Sequence, residues 1–314
     1  MCGAAATGVG FGEGDAEDAE MGELDGEGLG SWAAVRGEQA ERTHSAIAPV
    51  RRDLTFLDTT IRRRMRLRGG PWEMELRPER GGRITSLRLA GEELLDQGIG
   101  VDDHSAEGFV AGGAWGWDEL VPNVEAARYP GPGPFEGVDL PDHGEAWRVP
   151  WMVMDESTLE CRGRLLPWRL ARGIVLGESA VRISYAYTNA GDAPLYAYWC
   201  SHALFRYEED MEVEVGRELP RPGVGESRKV FLRRGSEDRA LLRWKSGAAI
   251  ELAWDPSITP YIGVWVCNGD LGGYRQIAIE PATGGGDRPH LGVPPPLLNP
   301  DEELRWWLEI RDAR

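Results

Sequence analysis

The chain has 314 residues, with 52 acidic against 35 basic side chains and a formal net charge of −17. That balance argues against nucleic acid or an anionic membrane as a partner held by a general basic field, and it suits a soluble protein with a neutral partner. Gly (42), Pro (21) and Trp (13) are plentiful, so many turns and short strands are expected, with aromatic surface to spare.

Residues 1–52 are rich in Gly, Ala, Glu and Asp, and no Lys or Arg precedes Arg36. Such a segment cannot bury enough apolar surface to offset its ordering entropy. It is expected to be a disordered or loosely attached acidic tail, with a single domain over 53–314. The start of the chain has neither a basic n-region nor a long apolar h-region, so it does not read as a secretory signal. No apolar run approaches the ~20 residues that span a bilayer. The basic run IRRRMRLR (61–68) reads as a solvated face that pairs locally with the acidic tail.

The folded part is expected to begin near Pro71. Trp72 to Leu76 alternates apolar and polar residues, the pattern of a half-buried strand, and Arg83 to Leu89 follows a Gly81-Gly82 turn as a second. Residues 98–140 have weak periodicity and many Gly and Pro, with GGAWGWDELVPNV embedded. A loop this long in a compact domain points to function, and its Trp115, Trp117 and Asp118 argue against disorder. After LPDHGEAWRVPW (140–151) the period is 2 nearly to the end. Strands are predicted over 181–187, 195–205, 211–215, 229–233, 240–244, 248–254, 261–267, 275–280 and 304–310. No amphipathic helix of convincing length is present. The economical architecture is an all-β, antiparallel sandwich of many strands.

Chemistry-bearing residues stand out against this pattern. His202 lies within WCSHALF, where a core strand favours an apolar residue, and Tyr185, Tyr187, Tyr196, Tyr198 and Trp199 crowd it. A hydrogen-bonded core histidine is the plain reading; a site that stacks a sugar ring and moves a proton is the functional one. His143 sits in the turn Pro141-Asp142-His143-Gly144. Glu280 ends the apolar stretch Gln276–Ile279 and precedes Pro281. Asp118 follows Trp117, and an acid beside an aromatic can grip sugar hydroxyls while the ring stacks. His104 and His290, in polar loops, and His44, in the tail, are expected to have no catalytic part. Cys2, Cys161, Cys200 and Cys267 are far apart, with no CxxC pair and no His at zinc spacing. Reduced thiols and a cytoplasmic location follow as expectations, and no metal is expected.

Taken in order, GGRITSLRLAGEELL, GGAWGWDELVPNV, LPDHGEAW, WCSHALF and IAIEPATG resemble the motifs of the aldose 1-epimerase (galactose mutarotase-like) family. The match runs from about residue 70 to the end. The resemblance implies a β-supersandwich with a sugar cleft on one sheet and no metal or organic cofactor. It implies His202 as the acid that protonates the ring oxygen of a cyclic aldose, Glu280 as the base that takes the anomeric hydroxyl proton, and His143 as a sugar ligand. Trp117, Trp151 and Trp199 join Asp118 as expected sugar contacts. Two departures bear on the substrate. No early-loop Arg of the Gly-Arg-x-x-Asn-Arg type is visible, and Ala203 follows His202 where Pro or a hydroxyl residue is usual. A non-catalytic carbohydrate-binding protein on the same fold is the alternative. A lyase or hydrolase on a similar sandwich is a third reading; a hydrolase would need two carboxylates facing a glycosidic bond, and only Glu280 presents itself.

Overall fold

A computed structural model describes residues 64–314 apart from His104, Arg217 and Pro220. The expected acidic tail lies outside the described residues. The described part is almost wholly antiparallel sheet, as its period-2 pattern requires, and its one α-helical segment is the single turn Phe109–Gly113. None of the described helices is long and apolar enough to cross a membrane.

Two large sheets carry the fold. The first runs, edge to edge, through Met65–Gly69, Trp72–Arg77, Arg83–Leu89, Trp117–Leu120, Cys200–Arg206, Arg275–Ala282, Tyr261–Asn268 and Glu226–Phe231. The second runs through Glu212–Glu214, Arg239–Arg243, Ala249–Trp254, Glu303–Asp312, Ala180–Asn189, Trp168–Leu176, Thr158–Arg162 and Met152–Val153. Alternation along each strand sends one set of side chains into the shared core. Ala180–Asn189 shows this most regularly: Val181, Ile183, Tyr185 and Tyr187 are buried, with partly exposed residues between them.

The tryptophans are the main correction to the compositional reading. Trp72, Trp117, Trp151, Trp168, Trp199 and Trp254 are all fully buried in the core between the sheets, so the aromatic excess fills the interior. A large sandwich separates two twisted sheets by ~10 Å, and wide rings fill that gap.

The basic run is also used differently. Met65–Gly69 is an edge strand paired with Trp72–Arg77, so regular structure begins before Pro71. Arg64 and Arg66 meet Glu75, and Arg68 meets Glu73, on the adjacent strand. Opposite charges on facing strand positions account for the pairing, and charged edge residues discourage further strand addition. Thr158–Arg162 and Trp168–Leu176 are strands that sequence pattern did not single out. In the second, Arg172 occupies a fully buried position that pattern reading assigns to an apolar residue.

Candidate active site

The central strand Cys200–Arg206 has two faces with different jobs. Trp199, Ala203 and Phe205 point into the intersheet core. Cys200, His202 and Leu204 point the other way. There, Cys200 and Leu204 join a second apolar cluster with Leu120, Trp147, Tyr274 and Ala278. On this outer face the neighbouring strands build a polar row. Ile84 lies opposite Trp117, which sets Arg83 beside Asp118. Asp118 lies opposite His202. Pairing of Cys200 with Ala282 and Leu204 with Ala278 then sets His202 against Glu280. Four chemically active side chains from four strands thus stand in line, because the register of each pair is fixed by its buried face.

His202 and Glu280, 78 residues apart in sequence, meet with Nε2 of the histidine 3.4 Å from Oε1 of the carboxylate. Both are buried, at 6% and 2% exposure. Among the described residues, neither His202 Nδ1 nor Glu280 Oε1 has a hydrogen-bond partner. Oε2 of Glu280 is held by Lys229 Nζ at 2.7 Å, and the same ammonium lies 2.6 Å from Asp287 Oδ1. Burial pushes the Glu280 carboxyl up, against the pull of Lys229. Burial also pushes the His202 imidazole well below its ordinary value, reinforced by His143, Lys229 and Arg83. Burial alone would lower Lys229, but Glu280 and Asp287 outweigh it and keep the ammonium charged.

His143 joins this pair from a loop. Its ring centroid is 5.3 Å from that of His202, edge to face. The residue has φ of 58°, a left-handed conformation that costs a non-glycine residue about 1–3 kcal/mol and is retained where the surroundings impose it. Its amide donates to the Val124 carbonyl. The next residue, Gly144, has φ of 66°, and a Cβ there would lie 2.3 Å from the Val121 carbonyl oxygen, so the turn requires glycine. Asp142 is a double anchor. Its Oδ1 lies 2.8 Å from His143 Nδ1, and its Oδ2 accepts the Phe109 amide at 2.8 Å. Burial opposes ionisation of Asp142, but His143, the Phe109 amide and Arg148 together hold its carboxyl below the ordinary value. A carboxylate at Nδ1 fixes the proton there and leaves Nε2 as the free end of the ring.

Phe109 covers the cluster. Its ring stacks on His143 at 4.2 Å and 5°, and meets His202 and Trp147 edge-on at 5.1 and 5.0 Å. On the far side, a shallow recess lined by Phe231, Tyr261, Gly263, Gly286 and Asp287 reaches Glu280.

The other sequence-derived candidates are placed differently. Asp118 is on the correct face but is fully engaged. Arg83 Nη2 lies 2.8 Å from its Oδ2, and Arg83 Nε donates to both oxygens at 3.1 Å. Burial pushes the Asp118 carboxyl up, with Arg83 opposing. Trp117, Trp151 and Trp199 do not reach the row. Trp117 and Asp118 sit on a strand rather than a loop, so adjacent residues face opposite ways. Trp117 therefore packs inward against Phe205. Trp151 lies in the intersheet core under the Arg172 guanidinium. Trp199 donates its indole N–H to Glu119 Oε2 at 2.9 Å. His290 is exposed, and His104 and His44 lie outside the described residues.

Arg83, Phe109, Asp142, Trp147, Lys229 and Asp287 were not among the sequence-derived site residues. Arg83 had a signal: it opens the strand Arg83–Leu89 directly after Gly81-Gly82. Lys229 lies between Arg228 and Val230 on a mostly polar edge strand and carries no such signal.

Among solved structures, this architecture is that of the galactose mutarotase-like β-sandwiches. Slr1438 from Synechocystis sp. PCC 6803 matches with a TM-score of 0.64 at 15% identity, covering 80% of this chain and 96% of that one. A candidate aldose 1-epimerase from Escherichia coli K12 matches at 0.61 and 16% identity, covering 79% and 98%. A galactose mutarotase related enzyme from Lactobacillus acidophilus matches at 0.60 and 13% identity, covering 80% and 97%. No protein-family model matches the chain, and no curated protein matches it in sequence. At these identities the likeness carries the fold.

Proposed function

We propose that this protein is an aldose 1-epimerase-like isomerase that interconverts the α and β anomers of a sugar. The observation that carries the reading is the meeting of His202 and Glu280, 3.4 Å apart on one sheet face with His143 beside them. Anomer exchange needs the C1–O5 bond broken, rotation about C1–C2, and reclosure on the other face. In the ring-opening step Glu280 takes the proton of the C1 hydroxyl, the O–H bonding pair becomes the second C1–O1 bond of the aldehyde, the C1–O5 pair leaves with the ring oxygen, and His202 delivers a proton there. Closure reverses both transfers, so the pair returns to its starting state with no net proton consumed. Burial raises the Glu280 carboxyl and lowers the His202 imidazole. His143, with its proton fixed at Nδ1 by Asp142, offers Nε2 to a sugar hydroxyl.

The reading has a small-molecule sugar as the partner and the cytoplasm as the location, in keeping with the free, buried Cys161, Cys200 and Cys267. The test is acceleration of α/β exchange across a panel of aldoses and sugar phosphates, followed by polarimetry. Wild type should accelerate exchange, and His202→Ala should lower the rate by about 10²–10⁴ while leaving sugar binding largely intact. One observation favours a second reading, a sugar-binding protein without turnover: Phe109 covers His202 and His143. Sugar binding without faster exchange in wild type would decide for that reading.

A further inference from the structure

A part-buried ammonium, Lys229, meets the carboxylate proposed as the base and has no part in the acid–base scheme above. Lys229 lies on the edge strand Glu226–Phe231, opposite Trp265 of the intervening strand Tyr261–Asn268. Glu280 lies on the other side of that strand, opposite Gly263. Lys229 therefore reaches its partner diagonally, across the place where residue 263 would carry a side chain. A Cβ on Gly263 would lie 2.7 Å from Glu280 Oε2 and 3.2 Å from Lys229 Cε. Gly263 is what opens the path for the ammonium.

We propose that Lys229 is a positioning residue for the base: backed by Asp287, its ammonium pins Oε2 of Glu280 and leaves Oε1 facing His202 and the sugar hydroxyl. This rests on the aldose epimerase reading of the same site. A purely structural lysine would need one carboxylate, yet Nζ is shared between Glu280 at 2.7 Å and Asp287 at 2.6 Å. Two carboxylates on one ammonium leave one net negative charge. Transfer of the hydroxyl proton to Glu280 brings the cluster to neutrality, so the buried charge is relieved as the reaction proceeds. Glu280 Oε1, the oxygen turned away from Lys229, accepts no hydrogen bond among the described residues and lies 3.4 Å from His202 Nε2. Asp287 is itself fixed, because its carbonyl accepts the amides of Val124 and Glu125 at 2.8 Å each. The loop before His143 and the clamp on Glu280 are thereby tied together. The other titratable groups facing Glu280 are His202 and Cys200 from the central strand, Tyr198 preceding it, and His143 from its loop.

The experiment uses full-length protein with carbon-13 at the glutamate carboxyls, with the Glu280 signal identified by its loss in Glu280→Gln. Wild type should show Glu280 ionised at pH 7. Lys229→Met should show it protonated there, with exchange slowed at least tenfold and the acid limb of kcat/KM moved to higher pH. Lys229→Arg should restore most of both. Gly263→Ala, which crowds the ammonium and carboxylate without removing either charge, should move the Glu280 signal and the profile in the same direction by less. An unchanged Glu280 titration in both Lys229→Met and Gly263→Ala would overturn the proposal. If wild type accelerates no sugar's exchange, the epimerase reading fails, while the carboxyl titration still decides the role of Lys229.

Discussion

Glu119 and Glu280 lie on the two strands that flank the same central strand, and both are buried carboxylates. They face opposite sides of the sheet, and their surroundings differ in one respect. Glu119 points between the sheets, where Oε1 accepts from Arg172 at 3.0 Å and Tyr185 at 2.9 Å, and Oε2 accepts from Trp199. Both of its oxygens are satisfied by donors that are themselves fully buried. Glu280 points outward and has one oxygen pinned and one without a donor. Burial raises both carboxyls. A carboxylate with donors on both oxygens holds a structure together. One whose second oxygen accepts no hydrogen bond among the described residues, beside a histidine whose Nδ1 also has none, keeps an avoidable cost, and such costs are retained where chemistry needs them.

The largest effect separating the two should come from the interior. Arg172→Met takes the guanidinium counter-charge from Glu119 in the core, and removes the donor to the Gly82 carbonyl. Stability should fall by about 3–5 kcal/mol in denaturant unfolding. A loss under about 1 kcal/mol would break the contrast. Trp199→Phe keeps most of the packing but removes one donor from Glu119, and should lower stability by about 1–3 kcal/mol. If Trp199 were a sugar contact, the main effect would be on substrate affinity instead.

A smaller effect tests the floor beneath the site loop. The Asp96 amide donates to the Leu204 carbonyl, and its own carbonyl accepts the Gly116 amide. Burial raises its carboxyl to about 6, against backbone donors from Gly98 and Gln97. A folded pKa above the unfolded value means the folded state binds more protons. Its contribution to stability is full below the unfolded pKa and is lost as pH rises through about 6. Asp96→Asn should therefore raise stability at pH 8 by about 1 kcal/mol once partial exposure is discounted, read as a higher midpoint of thermal unfolding, with the gain fading below pH 4. An equal gain at both pH values would show that the charge is not the cause.

The sandwich was legible because burial imposes a period of 2 on most strands, and Val181 to Tyr187 displays it without interruption. The strand Trp168–Leu176 was missed because Arg172 stands at a core position, which only the carboxylate of another strand explains. His202 and Glu280 were legible as polar residues interrupting apolar strands, together with a family resemblance. The supposed tryptophan wall was not: Trp117 and Asp118 are neighbours in sequence, and a strand sends neighbours to opposite faces. Lys229 was invisible because its meaning depends on the missing side chain of Gly263, a strand away. Spacing along the chain carries no trace of that vacancy.

The contrast between the two carboxylates rests most directly on one measurement: the rate of α/β exchange per folded molecule, by NMR, in wild type and in Glu280→Gln, with thermal unfolding of the same samples. Glu280→Gln should abolish the acceleration seen in wild type while unfolding at an equal or higher temperature, since a buried charge is removed. Exchange that persists in Glu280→Gln, together with a large loss of stability, would make Glu280 a second Glu119 and contradict the account.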